Sequence, residues 1–154
     1  MGGQQGFSRV VRVEIAAHAH ATEDVNRVVK AILSLLPDEL RGSVEPEIVT
    51  VEGHHGNPIT RIVVRLEGRD AERFLSWLGG RLGEGEKLVL RSILEQRYDE
   101  RSGRFYFRVD KQEAYLGSVR FSDGDDVIQV MINMRGSPRL ERALKVLEEL
   151  GLVG

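Results

Sequence analysis

Residues 8 to 19 form a long stretch in which apolar side chains alternate with other residues. Val, Val, Ile, Ala and Ala occupy the odd positions from 11 to 19, whereas Arg12, Glu14 and His18 occupy even ones. Successive side chains of a β-strand point to opposite faces, so this period of two predicts a strand over Ser8–Ala19 whose odd positions face the core. A chain with such a strand has to bury one sheet face against other elements.

Four later segments have apolar residues at helical spacing and can cover that face. Thr22 is a suitable N-cap for the first, which Pro37 ends. Asp70 can cap the second, and Ser137 with Pro138 at the first helical position opens the last. The predicted helices cover residues 25–36, 70–82, 86–96 and 138–150.

The remaining alternating segments predict further strands. Glu47–Glu52 and Ile59–Glu67 flank Gly53–Pro58, whose Gly, Asn and Pro content predicts a tight hairpin. Strands and helices do not alternate regularly, so the pattern predicts an α+β fold, a mostly antiparallel mixed sheet backed by helices. The other predicted strands are one centred on Phe107, Ser118–Phe121 and Asp126–Asn133.

Composition narrows the class of protein. The 154 residues suit a single domain over residues 1–154, with the Gly/Gln-rich positions 1–7 as a flexible N-terminus. The absence of cysteine excludes a disulfide framework and a cysteine nucleophile. The sequence has neither a basic-then-apolar leader nor an apolar run of membrane-spanning length, so we expect a cytoplasmic protein with no membrane partner. Because the net charge is -2, any nucleic-acid footprint must be local.

The four histidines lie in two places, His18 and His20 near the end of the first strand and His54 and His55 at the hairpin tip. Residues two apart share a strand face, which is also what a pair of imidazole ligands needs. A polar strand end explains the same residues without a metal, and no carboxylate stands at a diagnostic spacing. The glycine-rich run Gly79–Lys87 lacks the spacing of a phosphate loop. We therefore expect no metal, no other cofactor and no catalysis.

Basic and aromatic residues occupy the predicted strand faces opposite the core. Guanidinium groups pair with phosphates and stack on bases, and tyrosine rings offer unpaired bases a stacking platform. If their strands are neighbours, the guanidinium groups of Arg61, Arg65 and Arg108 form one patch. A solvated sheet face with ordinary Arg/Glu pairs fits the same pattern. The members of the set are Arg61, Arg65, Tyr106, Arg108 and Arg120, followed closely by Lys111 and Tyr115.

Three segments, taken with their order and spacing, resemble a known family. They are His20–Asp24, Val51–Ile59 and Val109–Gly117, with Asp125–Ile128 beyond. Over nearly its whole length the chain is similar to an archaeal family of predicted RNA-binding proteins, proposed as exosome-associated subunits.

The resemblance implies an α+β fold similar to the ribosomal protein of the central protuberance that contacts the small ribosomal RNA of the large subunit. It also implies where the functional positions lie. At the hairpin tip these are Glu52, Gly53, His54, Gly56, Asn57 and Pro58, and after the strand centred on Phe107 they are Asp110, Lys111, Gln112, Tyr115 and Gly117.

The resulting hypothesis is a non-catalytic domain that binds structured, ribosomal or processing RNA and acts with exosome or ribosome components. The rival is a protein-interaction adaptor within such an assembly. A metal-dependent hydrolase comes third, and it would need the four histidines to converge with Asp125 or Asp126. The residues that we expect to contact RNA are Arg61, Arg65, His54, His55, Asn57, Tyr106, Arg108, Lys111, Gln112 and Tyr115.

Overall fold

Five strands and six helices follow one another in the computed structural model, which describes residues 8–53 and 56–154. The strands are β1 (Val10–His20), β2 (Glu47–Glu52), β3 (Pro58–Glu67), β4 (Arg104–Asp110) and β5 (Val127–Met134). The helices are α1 (Val25–Leu33), α2 (Asp38–Arg41), α3 (Gly68–Gly80), α4 (Glu84–Arg97), α5 (Lys111–Tyr115) and α6 (Leu140–Glu149).

The strands form one antiparallel sheet in the order β2-β3-β1-β5-β4, which confirms the predicted α+β fold. The period of two in the sequence is visible in β1, where Val13, Ile15 and Ala17 are buried and His18 is exposed. In β4, Phe105, Phe107 and Val109 are buried in the same alternating way. Each strand therefore presents one face to the core.

The predicted hairpin is confirmed in its two strands. β2 and β3 pair antiparallel, with Thr50 opposite Thr60 and a hydroxyl–hydroxyl distance of 2.9 Å. At the tip, the Gly53 amide donates to the Asn57 carbonyl at 2.7 Å. A Cβ at Gly53 would lie 2.9 Å from that carbonyl oxygen, so only glycine fits there. The predicted tip residues His54 and His55 lie outside the described residues.

Two compact units divide the described chain. Unit 1 consists of residues 8–13, Leu66–Tyr106 and Met131–Gly154, and it buries the apolar stripes of α3, α4 and α6. Unit 2 consists of Glu14–Arg65 and Phe107–Val130, and in it α1 packs on α5, with the Ser34 hydroxyl donating to the Ala114 carbonyl at 2.5 Å. The expectation of a single domain over residues 1–154 stays a prediction.

Two predicted helix starts are wrong. The N-cap of α1 is Asp24 and not Thr22, because the Asp24 carboxylate accepts a hydrogen bond from the Asn26 amide at 2.9 Å. The last helix begins at Leu140 and not at Pro138. Both errors arise because several cap-type residues stand close together, and sequence alone does not decide which of them takes the cap conformation.

One predicted strand is almost absent. Ser118–Phe121 makes a single isolated bridge, between Phe121 and Val109, instead of a full strand. The chain reaches it from Gly117, whose φ of 91° turns the backbone out of an extended path. In the described part of the chain, no helix has both the length and the apolar character needed to cross a membrane.

Candidate nucleic-acid interface

The sheet face opposite the core carries the polar residues of unit 2. His18 and His20 are exposed at even positions of β1, and Arg61 is exposed on the neighbouring strand β3. Gln129 is half-buried on β5, the other neighbour of β1. Arginine, histidine and glutamine side chains together can bind phosphates and the hydrogen-bonding edges of bases.

A shallow cavity of about 270 Å³ brings these side chains together. His18, Arg61 and Gln129 line it, and the small side chain of Ala16 leaves its centre open. Asp125 contributes one carboxylate. A second cavity of about 400 Å³ shares His20 with the first and is also lined by Asn57, Pro58 and Ile59, so Asn57 lies beside the same surface.

Arg108 lies on this face at the far side of the sheet. Lys111 donates its amide to the Asp126 carbonyl at 3.0 Å, and in antiparallel strands this register places Arg108 opposite Gln129. Arg61, His18, Gln129 and Arg108 therefore form a row across four strands, which we call the transverse row. Three strand spacings of about 4.8 Å give the row a length of about 14 Å.

The predicted single arginine patch is wrong in its geometry, because β3 and β4 are not neighbours. β1 and β5 separate them. Sequence alternation identifies the exposed face of a strand but does not identify the strand beside it. Arg61 and Arg108 thus mark the two ends of the transverse row and do not touch.

The arginines also differ in how their charges are used. Arg65 donates to Glu14 at 3.2 Å and to Glu47 at 3.1 Å, and these hydrogen bonds, that of Glu47 first, raise its pKa. Among residues 8–53 and 56–154, Arg61 and Arg108 have no carboxylate within ion-pair distance. The free positive charge of the transverse row therefore lies on Arg61 and Arg108, whereas Arg65 belongs to a protein ion pair.

The imidazole of His18 lies in a positive environment. Partial burial lowers its pKa, and the charges of Arg61, His20 and Lys111 lower the pKa further. His18 is therefore neutral at pH 7, with one ring nitrogen as a donor and the other as an acceptor. A neutral imidazole between two arginines suits hydrogen bonding to a base edge better than binding a phosphate.

Lys111 occupies a structural position. It is only 3% exposed, and its ammonium group donates to the His18 carbonyl at 2.8 Å, to Glu23 at 2.9 Å and to Asp126 at 2.9 Å. An ammonium has three protons, so these partners saturate it. The predicted contact of Lys111 with RNA would require these bonds to break, and the transverse row does not include it.

Tyr115 lies on the helical side of unit 2, away from the predicted strand faces. Its ring contacts two cations on α1, Arg27 at 5.3 Å and Lys30 at 4.8 Å from the ring centroid. Gln112 is exposed and donates to Asp126 at 3.0 Å. The RNA contacts predicted for Gln112 and Tyr115 stay predictions.

Tyr106 and Arg120 complete the predicted set. Tyr106, in unit 1, is 40% exposed on β4. Arg120 is exposed in unit 2, and its carbonyl accepts the Asp110 amide at 2.7 Å. His54 and His55, also predicted to contact RNA, lie outside the part of the chain that the structure describes.

Sequence reasoning assigned no RNA role to His18, His20 or Gln129. It considered the two histidines only as metal ligands, although the alternation in β1 already placed them on the polar face. Within the described ranges, no group of three or more His, Asp or Glu side chains could hold a metal ion.

Comparison with known proteins identifies the family. Residues 12–134 match the sequence model of a family described as RNA binding. An RNA-binding protein of Pyrococcus abyssi is 38% identical over 134 residues, which are 86% of this chain and 86% of that protein. An uncharacterized protein of Methanocaldococcus jannaschii is 33% identical over 126 residues, which are 80% of this chain and 83% of that protein.

Solved structures show the same fold. A DUF54 family protein of Archaeoglobus fulgidus superposes with a TM-score of 0.75 at 33% identity, over 92% of this chain and 99% of that one. A DUF54 protein of Methanothermobacter thermautotrophicus gives a TM-score of 0.72 at 28% identity, over 92% and 97%. The family match extends over most of the chain and confirms the resemblance seen in the sequence. This chain belongs to the archaeal RNA-binding family that also includes the Pyrococcus protein.

Proposed function

We propose that this chain is a non-catalytic RNA-binding domain whose transverse row holds a single-stranded segment of a structured RNA. The observation that carries the proposal is the row itself, with unpaired arginines at both ends and neutral hydrogen-bonding side chains between them. RNA backbones need cations, and unstacked bases need donors and acceptors along one path.

The geometry supports a strand of RNA that runs across the β-strands. Arg61 and Arg108 are about 14 Å apart along the row, so each can bind a different phosphate of one short segment. His18 and Gln129 lie between them, where both can donate to and accept from base edges. The Asp125 carboxylate near the row disfavours phosphate at that point and therefore favours a base or a sugar there.

We further propose the setting in which the domain acts. The Pyrococcus relative is named an RNA-binding protein, and this supports RNA as the partner. Action in the cytoplasm with exosome or ribosome components remains part of this proposal, as does the absence of catalysis. A ribosomal-protein-like use of the sheet fits the same geometry.

A charge-reversal pair tests the proposed RNA path. In fluorescence anisotropy with a short labelled single-stranded RNA at low salt, Arg61→Glu combined with Arg108→Glu should lower the affinity by about 100-fold or more, because two charge-assisted contacts are lost. The matched control is Arg142→Glu combined with Lys145→Glu, which changes the net charge equally on exposed positions of α6. The control should bind within about threefold of the wild type.

Circular dichroism and thermal unfolding would establish that both double variants remain folded. Equal loss of affinity in the two double variants would contradict the transverse row, because it would mean that net charge alone governs binding. Failure of the wild type to bind any single-stranded RNA at low salt would contradict RNA binding by this face.

A further inference from the structure

The strand β2 stands at one end of the sheet and lies open to solvent. The order β2-β3-β1-β5-β4 gives it only one neighbour, β3. All six of its residues are exposed, so neither of its faces is covered by a described element. An edge strand in this position keeps a row of backbone donors and acceptors free for another strand.

The exposed residues of β2 are unusually apolar for an edge. Ile48 is 51% exposed, Val49 48% and Val51 54%. Proteins protect such edges with inward charges, lysines, prolines or bulges, but none of these interrupts Ile48–Val51. The apolar side chains lie on both faces of the strand, which is the pattern of a strand that lies inside a sheet.

The existing partner of β2 shows what such a strand selects. Ile48 lies opposite Ile62, Thr50 opposite Thr60 and Val51 opposite Ile59. Cross-strand pairs of apolar and threonine side chains stabilise a sheet. A strand added to the free edge would find the same alternation on β2.

The charges around β2 determine the chemistry of that added strand. Glu47 and Glu52 stand at its two ends, and Glu45 precedes it. In the described part of the chain, Glu45 and Glu52 have no cation within ion-pair distance, whereas Glu47 contacts Arg65 at 3.1 Å. The edge is thus apolar in the middle and acidic at both ends.

From these observations we infer that β2 is a docking edge for a partner protein, which adds an antiparallel strand that is apolar in its middle and basic at both ends. A second copy of this chain fits the edge less well. Antiparallel pairing of β2 with itself about its centre places Glu47 opposite Glu52 at both ends, and like charges directly opposite destabilise a sheet. This inference does not rest on RNA binding, since it uses a different strand edge.

A synthetic peptide can test the docking edge. The peptide Lys-Val-Thr-Val-Ile-Arg, paired antiparallel, would place its Lys opposite Glu52 and its Arg opposite Glu47. It should bind saturably in fluorescence anisotropy, and Val51→Lys should weaken binding at least about tenfold, because it removes an apolar contact and adds a repelling charge. Val89→Lys, at a position of α4 that is 50% exposed, is the matched control and should bind as the wild type does.

Further arms separate the alternatives. The same peptide with glutamates at both ends should bind at least about tenfold more weakly, and proline in place of its threonine should abolish binding, since proline cannot donate to a ladder. Absence of saturable binding to the wild type, or equal binding to Val51→Lys and the wild type, would overturn the inference. Sedimentation equilibrium that reveals a wild-type dimer dissolved by Val51→Lys would also overturn it, because the occupant would then be a second copy.

Discussion

At the scale of single residues, Lys111 shows how one buried cation organises unit 2. Its ammonium joins the β1 backbone at His18 to the carboxylates of Glu23 and Asp126, which come from distant parts of the sequence. Removal of one partner from a buried ion pair is costly, whereas the intact pair contributes little net stability. Lys111 therefore specifies the arrangement of the segments beneath the transverse row.

Asp126 makes this network sensitive to acid. Partial burial on its own would raise the pKa of Asp126, but hydrogen bonds from Lys111 and Gln112 outweigh that effect and lower the pKa. A carboxyl group with a lowered folded-state pKa stabilises the fold above its unfolded pKa of about 3.9 and loses that contribution as the pH falls through the folded value. We therefore expect urea midpoints to fall below about pH 4 and to fall less steeply in Asp126→Asn.

The control for this prediction is Asp123→Asn, which removes a carboxylate from the same turn without removing a bond to Lys111. Asp123→Asn should keep the acid-dependent decrease of the wild type. The same pH dependence in Asp126→Asn as in the wild type would show that the Lys111 network does not cause the decrease.

At the scale of elements, the end of α3 tests how closely helix and backbone pack in unit 1. A Cβ at Gly79 would lie 2.1 Å from the Gly151 carbonyl oxygen, whereas a Cβ at Gly80 would meet nothing within 4 Å. Gly79→Ala should therefore lower the free energy of unfolding by about 1–3 kcal/mol, as overpacking does. Gly80→Ala should leave it unchanged or raise it by up to about 1 kcal/mol, because alanine favours the helix. Urea denaturation of the two variants compares them directly, and equal stability would contradict the close approach.

Elements also show what sequence could and could not predict. Alternation identified β1 and its buried face correctly, and the Gly and Pro residues of the tip predicted the β2–β3 hairpin, because both signals are local. Strand order depends on packing between distant segments, so the separation of Arg61 from Arg108 was not visible in the pattern. The burial of Lys111 was missed for the same reason, since two of its three side-chain contacts, with the His18 carbonyl and Glu23, are more than 80 residues away in sequence.

At the scale of the whole molecule, a protein with a net charge of -2 has to bind an anionic polymer locally. The free cations of the transverse row give unit 2 such a site, while Arg65 and Lys111 spend their charges inside the protein. A count of basic residues therefore overestimates the charge that RNA would meet.

The salt dependence of binding should reflect this small number of free charges. Each phosphate neutralised on single-stranded RNA contributes about -0.7 to the slope of log K against log salt, so contacts from Arg61 and Arg108 predict a slope of about -1.4. Arg61→Gln alone should reduce the slope to about -0.7, since one contact remains. Arg65→Gln should leave the slope of the wild type unchanged, because Arg65 is already held by Glu14 and Glu47. A wild-type slope much steeper than about -1.4 would show that RNA also contacts cations outside the transverse row, and the cations on α1 beside Tyr115 would then be the next positions to mutate.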